Sequence, residues 1–146
     1  MDVLNEKQRS YNMSRIKAKN TKPEIILRKA LFRNGMRGYR IHYSLYGKPD
    51  IVFTKYKLAI FMDGCFWHKC PKCFITPETR TEFWLKKIEN NKQRDKIINE
   101  KLSNEGWVVL RYWEHMIEKK LGIVLNDIQL NLKILANGRK SIKKML

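Results

Sequence analysis

The sequence has no long hydrophobic run and no apolar leader. No stretch of about 18 apolar residues occurs, which excludes an ordinary membrane-spanning helix. The opening residues, MDVLNEK, lack the apolar core of a signal peptide. Internal repeats and low-complexity tracts are also missing from the sequence. We therefore expect a soluble, cytoplasmic protein.

Acidic residues are scarce relative to basic ones. The chain has 31 Lys and Arg against 14 Asp and Glu, which gives a formal net charge of +17. Such a charge repels itself in a compact protein, and a polyanion that neutralises it is the simplest explanation. Nucleic acid is the first candidate and a membrane surface is the competing one. We therefore expect a protein that binds nucleic acid.

Cysteine is also rare, and the three cysteines make a poor disulfide framework because they are odd in number and lie within nine residues. Cys65, Cys70 and Cys73 have the spacing C-x4-C-x2-C. In a reducing cytosol, thiolates at this spacing are suited to hold a metal ion. Disulfides or free thiols are the less favoured alternative.

A chain of 146 residues fits one domain, which would bury about 70% of its extended-chain surface. We divide it into a basic arm at residues 1–20, a single domain at 21–136 and a basic tail at 137–146. The arm is either a solvated tail or a segment that follows a DNA groove, where Met13 would press between bases.

Helix signals occur near the start of the domain and at its end. Thr21-Lys22-Pro23-Glu24 has the form of a capping box, and helical spacing of apolar residues then predicts a helix over about 22–34. Alternating apolar and polar residues over 37–45 predict a first strand. A last helix is expected over about 121–136.

Two apolar runs, at residues 50–53 and 58–62, are separated by a short polar link, which is typical of an antiparallel hairpin. If the centre of this hairpin lies near residues 55 and 56, Asp50 lies opposite residues 61 and 62. The first acid of one strand and the last residues of the next therefore meet at one end of the sheet.

A long helix over 81–104 and a strand over 107–113 follow the hairpin, and together they predict a right-handed crossover to a parallel strand. Because parallel strands end on the same side of a sheet, His115 would emerge beside Cys65. Three thiolates and this imidazole form a closed tetrahedral set, which makes a zinc ion structural. His68 is the less favoured fourth ligand.

Hard oxygen ligands of the kind Mg²⁺ prefers meet at the same sheet end: the Asp50 carboxylate, the Met62 carbonyl and the Asp63 carboxylate. His68 follows five residues after Asp63, where a neutral imidazole could take a proton from water. Asp95, on the inward side of the long helix, would orient His68. The alternatives are a turn residue for Asp50 and a salt bridge with a nearby Arg or Lys for Asp95.

Several short blocks also carry a family resemblance by their order and spacing: Lys48-Pro49-Asp50, Asp63-Gly64-Cys65-Phe66-Trp67-His68, Thr79 to Trp84, Lys87-Ile88 with Asn91, Arg94-Asp95, Gly106-Trp107 and Trp113-Glu114. They resemble the very short patch repair (Vsr) DNA mismatch endonucleases over about residues 9–118. The Gly-Cys-Phe-Trp-His block is the most specific of them.

The resemblance implies a restriction-endonuclease-like α/β fold, with a mixed central sheet flanked by helices. It implies an enzyme that nicks one strand 5′ to the thymine of a T·G mismatch, the product of 5-methylcytosine deamination. By position, Asp50 would hold Mg²⁺, His68 would be the base and Asp95 its partner. Glu24 would be an acid that reaches the waters around the metal, or only a helix cap. Some family members carry His at the position of Asp63, so ligand, base and electrostatic neighbour all stay open for this residue.

The resemblance also implies that Phe66, Trp67 and Trp84 wedge beside the mismatched pair, and aromatic faces do stack on bases. Lys87 and Asn91 belong to the same blocks and are expected to contact DNA. The expected partner is double-stranded DNA with a T·G mismatch, and other DNA repair proteins are further candidates. Recognition of one asymmetric mismatch favours a monomer. The alternative functions are a nuclease for another DNA site or lesion and a zinc-stabilised DNA-binding module without chemistry.

Overall fold

A four-stranded mixed sheet with helices on both faces forms the fold in a computed structural model, which describes residues 20–65 and 69–145. The elements in chain order are α1 Lys22–Arg33, β1 Arg40–Ile41, β2 Ile51–Phe53, a 3-10 turn Thr54–Tyr56, β3 Leu58–Asp63, α2 Thr81–Asn104, β4 Val108–Trp113, α3 Glu114–Lys119 and α4 Leu121–Met145. The expected mixed α/β class is confirmed. None of the helices within the described ranges is long and apolar enough to cross a membrane.

The strands lie in the order β1-β2-β3-β4. Strands β2 and β3 form the predicted antiparallel hairpin, in which Ile51 pairs with Ile60. Strand β4 returns parallel to β3, so that Asp63 pairs with Trp113 at the carboxyl end of both strands. The predicted hairpin and crossover are confirmed, and their register determines which side chains share this end of the sheet.

Strand β3 is buried on both faces because its alternate side chains enter two separate cores. Leu58 and Ile60 belong to the larger core, together with residues of α1, α3 and α4. Ala59 and Phe61 point to the opposite face, where they pack with residues of α2. Complete burial of a side chain such as Leu58 contributes about 1.5–3 kcal/mol. Within residues 20–65 and 69–145, α2 is the helix that contributes to this second core.

Helix α2 packs against the sheet through one seam, on the side of the helix that was predicted to face inward. Ile88, Ile98 and Leu102 are buried along this seam, and Asp95 is partly buried on it. Gly47 approaches the same helix so closely that a Cβ on it would lie 2.5 Å from Cγ2 of Ile98. The loop before β2 is therefore held against α2.

The predicted first strand over residues 37–45 is confirmed only at Arg40–Ile41. The flanking Gly38 and His42 have φ angles of 87° and 53°, in the left-handed region. Such residues leave the extended conformation and end strand pairing on both sides. The rest of this segment forms loops.

Two predictions about helix ends need correction. Helix α1 begins at Lys22 with Thr21 at its N-cap, as predicted, but Thr21 makes no side-chain cap hydrogen bond, and the Glu24 carboxylate accepts instead from the backbone N–H of Asn20 at 2.8 Å. Helix α4 does not end near residue 136 but continues through Gly138 to Met145. One glycine in a helix costs only about 1 kcal/mol, which the remaining helix can offset.

Candidate functional site

Four potential metal ligands converge at the carboxyl end of β3 and β4: Cys65, Cys70, Cys73 and His115, which we call the Cys3His cluster. Their ligand atoms all lie within 4.8 Å of one another. Nδ1 of His115 is 3.4 Å from Sγ of Cys65, 3.5 Å from Sγ of Cys70 and 3.4 Å from Sγ of Cys73. The predicted convergence of His115 with the three thiols is confirmed.

Backbone connections explain how the chain builds this cluster. Cys65 follows β3 and His115 follows the parallel β4, so both leave the sheet at the same end. The backbone N–H of Cys70 donates to the carbonyl of Cys65 at 2.8 Å, which folds the loop back towards the strand. Cys70 is completely buried there, whereas Cys73 is exposed.

The donor set and spacing fit a tetrahedral zinc ion. Zinc bonds of the usual lengths place sulfur and nitrogen ligands about 3.6 Å apart, close to the Sγ–Nδ1 distances of 3.4–3.5 Å in the Cys3His cluster. Burial raises the pKa of the Cys65 thiol to about 11, so a metal ion would have to displace a proton from it. The geometry is that of a metal site with no position left for substrate.

A second group of ligands is built from carboxylates: Glu24, Asp50 and Asp63, which we call the carboxylate cluster. Asp50 directly precedes β2, and its Oδ2 accepts a 2.7 Å hydrogen bond from the backbone N–H of Met62. Its own N–H donates to the carbonyl of Ile60 at 2.9 Å. The hairpin register therefore places Asp50 beside the end of β3, where it was expected.

The carboxylate cluster concentrates negative charge in a poorly solvated place. Glu24 and Asp63 are each only 8% exposed. Burial raises the pKa of Asp50 to about 7, against a lowering by the Met62 hydrogen bond, and the nearby Glu24 and Asp63 raise it further. A bound cation would stabilise the ionised form of Asp50, which burial disfavours.

The carboxylate cluster is looser than the Cys3His cluster. In the described part of the chain, only the Cys3His cluster gathers three or more His, Cys or acidic ligand atoms closely enough to enclose an ion. An incomplete protein ligand set fits Mg²⁺, which usually keeps several waters and binds through one or two carboxylates and substrate phosphates.

Arg111 of β4 links two of the predicted acids. Its Nη1 lies 2.8 Å from Oδ1 of Asp63 and 3.6 Å from Oδ1 of Asp95. The salt bridge that we considered as the alternative role of Asp95 is therefore present. Sequence reasoning missed Arg111, although a single Arg inside an apolar strand next to a helix that carries inward polar residues is a usable signal.

The predicted DNA-contacting residues are divided by the limits of the described residues. Met13, Phe66, Trp67 and the predicted base His68 lie outside them. Trp84 lies in the first turn of α2, partly exposed, with its ring 5.1 Å from that of Phe83 and the Lys87 ammonium 5.8 Å from its centroid. Asn91 lines a cavity with Asp63 and Asp95. The roles of all these residues in DNA binding stay predictions.

Comparison with known proteins identifies a family. Residues 1–73 match the family model described as DNA mismatch endonuclease Vsr. The chain is 48% identical over 113 residues to the type II nicking enzyme V.NaeI of Lentzea aerocolonigenes, which covers 73% of this chain and 68% of that protein. It is 43% identical over 123 residues to the type II nicking enzyme V.NmeDIP of Neisseria meningitidis serogroup C, with 82% of each chain covered. It is also 41% identical over 116 residues to the DNA mismatch endonuclease Vsr of Escherichia coli K12, with 77% of this chain and 73% of that protein covered. The chain belongs to the Vsr family of DNA mismatch endonucleases and nicking enzymes.

Proposed function

We propose that this endonuclease nicks one strand of double-stranded DNA 5′ to the thymine of a T·G mismatch that arises when 5-methylcytosine deaminates. Its family supports a mismatch substrate. Its relatives are named nicking enzymes, and a nick is a cut in one strand only. The net charge of +17 suits a DNA substrate because the phosphates neutralise it.

The position of Asp50 is the observation that carries this proposal. Its carboxylate lies at the end of the sheet, bonded to the N–H of Met62, with a pKa raised to about 7 by burial and, to a smaller extent, by Glu24 and Asp63. Burial of a purely structural acid in such a place would cost stability. That cost is offset if the carboxylate holds a cation, to which a phosphate group can bind.

In this proposal, Asp50 and the Met62 carbonyl hold Mg²⁺. Bound there, the cation would polarise the phosphodiester as a Lewis acid. His68 takes the proton from the attacking water, and Asp95 orients His68. Glu24, which accepts from the N–H of Asn20, adds negative charge beside Asp50 and would reach the waters around the cation.

The Cys3His cluster would hold a structural Zn²⁺. In the sequence, Phe66, Trp67 and His68 all lie between two of its members, Cys65 and Cys70. A zinc ion that ties Cys65 and Cys70 to His115 would limit the conformations of this segment. In our proposal, the cluster thus places the base and the two aromatic wedges with respect to Asp50.

The protein would bind the mismatch as a monomer, in the cytoplasm, on nucleoid DNA. Met13, Phe66, Trp67 and Trp84 would wedge into the base stack, while Lys87 and Asn91 would contact the DNA nearby. We also propose that the mixed sheet is of the restriction-endonuclease type. Other DNA repair proteins are candidate partners after the nick.

A strand-specific nicking assay tests the proposal. A duplex with one T·G mismatch, labelled separately on each strand, is incubated with the protein and Mg²⁺ beside matched T·A and C·G duplexes. We expect one product, cut on the thymine strand immediately 5′ to the thymine. The control variant Asp50→Asn should bind the mismatch without cutting it.

Each other outcome contradicts part of the proposal. Equal cutting of matched and mismatched duplexes would indicate a nuclease for another site. Mismatch binding without a nick by the unaltered protein would indicate a DNA-binding module. Cutting of both strands would exclude nicking, and full activity of Asp50→Asn would remove Asp50 from the metal site.

A further inference from the structure

Arg111 occupies a central position between the carboxylates of the proposed site. Its Nη1 donates to Oδ1 of Asp63 at 2.8 Å and lies 3.6 Å from Oδ1 of Asp95. Asp63 ends β3 and Asp95 lies on α2, so the two acids belong to different elements and are far apart in sequence. One guanidinium thus connects the sheet end to the helix that covers it.

Further contacts hold the guanidinium in place. Its Nε donates to Oδ1 of Asn99 at 2.7 Å. Asn99 lies one helical turn after Asp95, so both residues present their side chains to the same strand. The guanidinium carbon also lies 4.1 Å from the ring centroid of Phe61, the residue that pairs with Arg111 across the parallel strands. A guanidinium that contacts a ring with its face and makes hydrogen bonds at its edge has little freedom to rotate.

The charges around Arg111 explain why a cation is needed there. The side chains of Asp63 and Asp95 are only 12% and 20% exposed, and that of Arg111 is 17% exposed. Two poorly solvated carboxylates near each other would repel, and the permanent positive charge of Arg111 between them offsets this repulsion.

One donor of the same guanidinium is still available. Within residues 20–65 and 69–145, Nη2 of Arg111 is buried without a hydrogen-bond acceptor. A cavity of about 250 Å³ borders Arg111, Asp63 and Asp95. Buried donors without acceptors are rare in folded proteins, so this one calls for an explanation in its surroundings.

We infer that Arg111 is a positioning residue for the nicking reaction. It fixes the Asp63 carboxylate beside Asp50 and the Asp95 carboxylate on α2, so that the metal-holding acid and the orienter of the base keep a constant separation. Arg111 acts on the reaction through these two acids. This inference rests on the proposed function, since it assigns Asp63 and Asp95 to the same reaction.

Substitution of Arg111 tests the inference. Arg111→Met removes the charge and keeps most of the side-chain volume, and Arg111→Lys restores the charge without the planar fork. Arg37→Met is the matched control, because Arg37 also lies 4.1 Å above a phenylalanine ring, that of Phe32, but is exposed and remote from these acids in sequence. Three quantities are measured for each variant: the single-turnover nicking rate on a T·G duplex at saturating protein and Mg²⁺, the affinity for that duplex, and the melting temperature.

A misplaced catalytic group can cost about 10²-fold in rate, and we expect a loss of that order for Arg111→Met at nearly unchanged DNA affinity. Arg111→Lys should recover part of the rate, and Arg37→Met should keep the full rate. Asn99→Ala, which frees only Nε, should lose about three- to tenfold. This smaller change keeps the test decisive if Arg111→Met does not fold.

The inference is overturned if folded Arg111→Met nicks within about threefold of the unaltered protein. It is also overturned if the loss of rate follows a loss of melting temperature and Arg111→Lys recovers neither, because that pattern indicates a role in folding only. If the unaltered protein does not nick the T·G duplex, the proposed function fails and the inference fails with it. If it does nick and Arg111→Met nicks equally well, the inference alone fails.

Discussion

The Cys3His cluster and the carboxylate cluster lie at the same end of the sheet, but they are built in opposite ways. The first has four ligand atoms within 4.8 Å of one another, which come from a short loop and from His115, which follows β4. The second collects Glu24 from α1, Asp50 from the start of β2 and Asp63 from the end of β3, without comparable closure. Soft ligands are concentrated in one cluster and hard ligands in the other.

The difference in closure separates two uses of a metal ion. A complete tetrahedral ligand set leaves no place for substrate, so the binding energy of its metal ion stabilises a conformation. An open set of oxygen ligands leaves positions for water and phosphate, so its metal ion can accelerate a reaction. In our proposal, the Cys3His cluster would hold a zinc ion that fixes the loop with His68, and the carboxylate cluster would hold a magnesium ion needed for cutting. Substitutions in the two clusters should therefore have different consequences.

Asp50→Asn should have the largest effect on activity. Loss of a charged group that stabilises the transition state costs about 10²–10³-fold, and we expect at least that loss of nicking rate with mismatch affinity retained. The measurement is single-turnover nicking beside a binding titration. Glu118→Gln, on the exposed surface of α3, is the matched control for the lost charge. Nicking by Asp50→Asn at the normal rate would show that the carboxylate cluster is not the cutting site.

The same variant has a second, opposite effect. The pKa of Asp50 in the folded protein is raised to about 7 from an ordinary value of 3.8. Between these two values the folded state binds a proton that the unfolded state has lost, so stability falls as the pH rises through this window and stays lower above it. Without Mg²⁺ at pH 8, Asp50→Asn should therefore melt at a higher temperature than the unaltered protein. An equal or lower melting temperature would contradict the claim that the ionised, buried Asp50 lowers the stability of the folded protein.

Cys70→Ala should reduce stability more than any change in the carboxylate cluster. Structural zinc contributes on the order of 10 kcal/mol of apparent binding energy, and loss of a completely buried ligand should remove at least about 3 kcal/mol of it. We expect a low yield of folded protein, no bound zinc and a lower melting temperature, measured by metal analysis and thermal unfolding. A normally folded variant without zinc would refute the structural role of the cluster.

Two of the three histidines sharpen the comparison, because His115 belongs to the proposed zinc site and His68 is the proposed base. His115→Ala should lose zinc and stability, since Nδ1 of His115 lies within 3.5 Å of all three sulfurs. His68→Ala should keep zinc and the melting temperature but lose about 10²-fold or more in nicking rate, as expected for a general base. The reverse result, with zinc lost only in His68→Ala, would make His68 the fourth ligand.

The sequence was sufficient to predict how these clusters assemble. A link of four residues between two apolar runs allowed one hairpin register, and this register put Asp50 beside Met62. A helix of 24 residues between β3 and β4 required a crossover, and the parallel pairing that followed brought His115 to Cys65. Short connections and known handedness leave few alternatives, so these parts of the fold could be predicted.

Other features could not be predicted because they depend on local backbone conformation or on contacts between residues distant in sequence. The strand pattern over residues 37–45 was broken by the left-handed backbone of Gly38 and His42, which alternation of side chains does not reveal. Glu24 accepts from Asn20 and not from the predicted Thr21. Arg111 looks like one polar residue in an apolar strand until Asp63 and Asp95 are placed around it.

The smallest predicted effect comes from the face of the sheet that carries the larger core, opposite to Arg111. There the Tyr112 hydroxyl of β4 donates to Oδ2 of Asp127 on α4, and burial together with this bond raises the pKa of Tyr112 above its ordinary value. Tyr112→Phe removes the bond but keeps the ring. Because Asp127 is exposed and regains water, we expect a loss of only about 1 kcal/mol, or a few degrees in melting temperature. Zinc content and nicking rate should not change, because Arg111 and Asp63 lie on the other side of the sheet from Tyr112. A change in either quantity would show that the two faces of the sheet are coupled through β4. The different properties of the Cys3His cluster and the carboxylate cluster would then depend on residues beyond the end of the sheet.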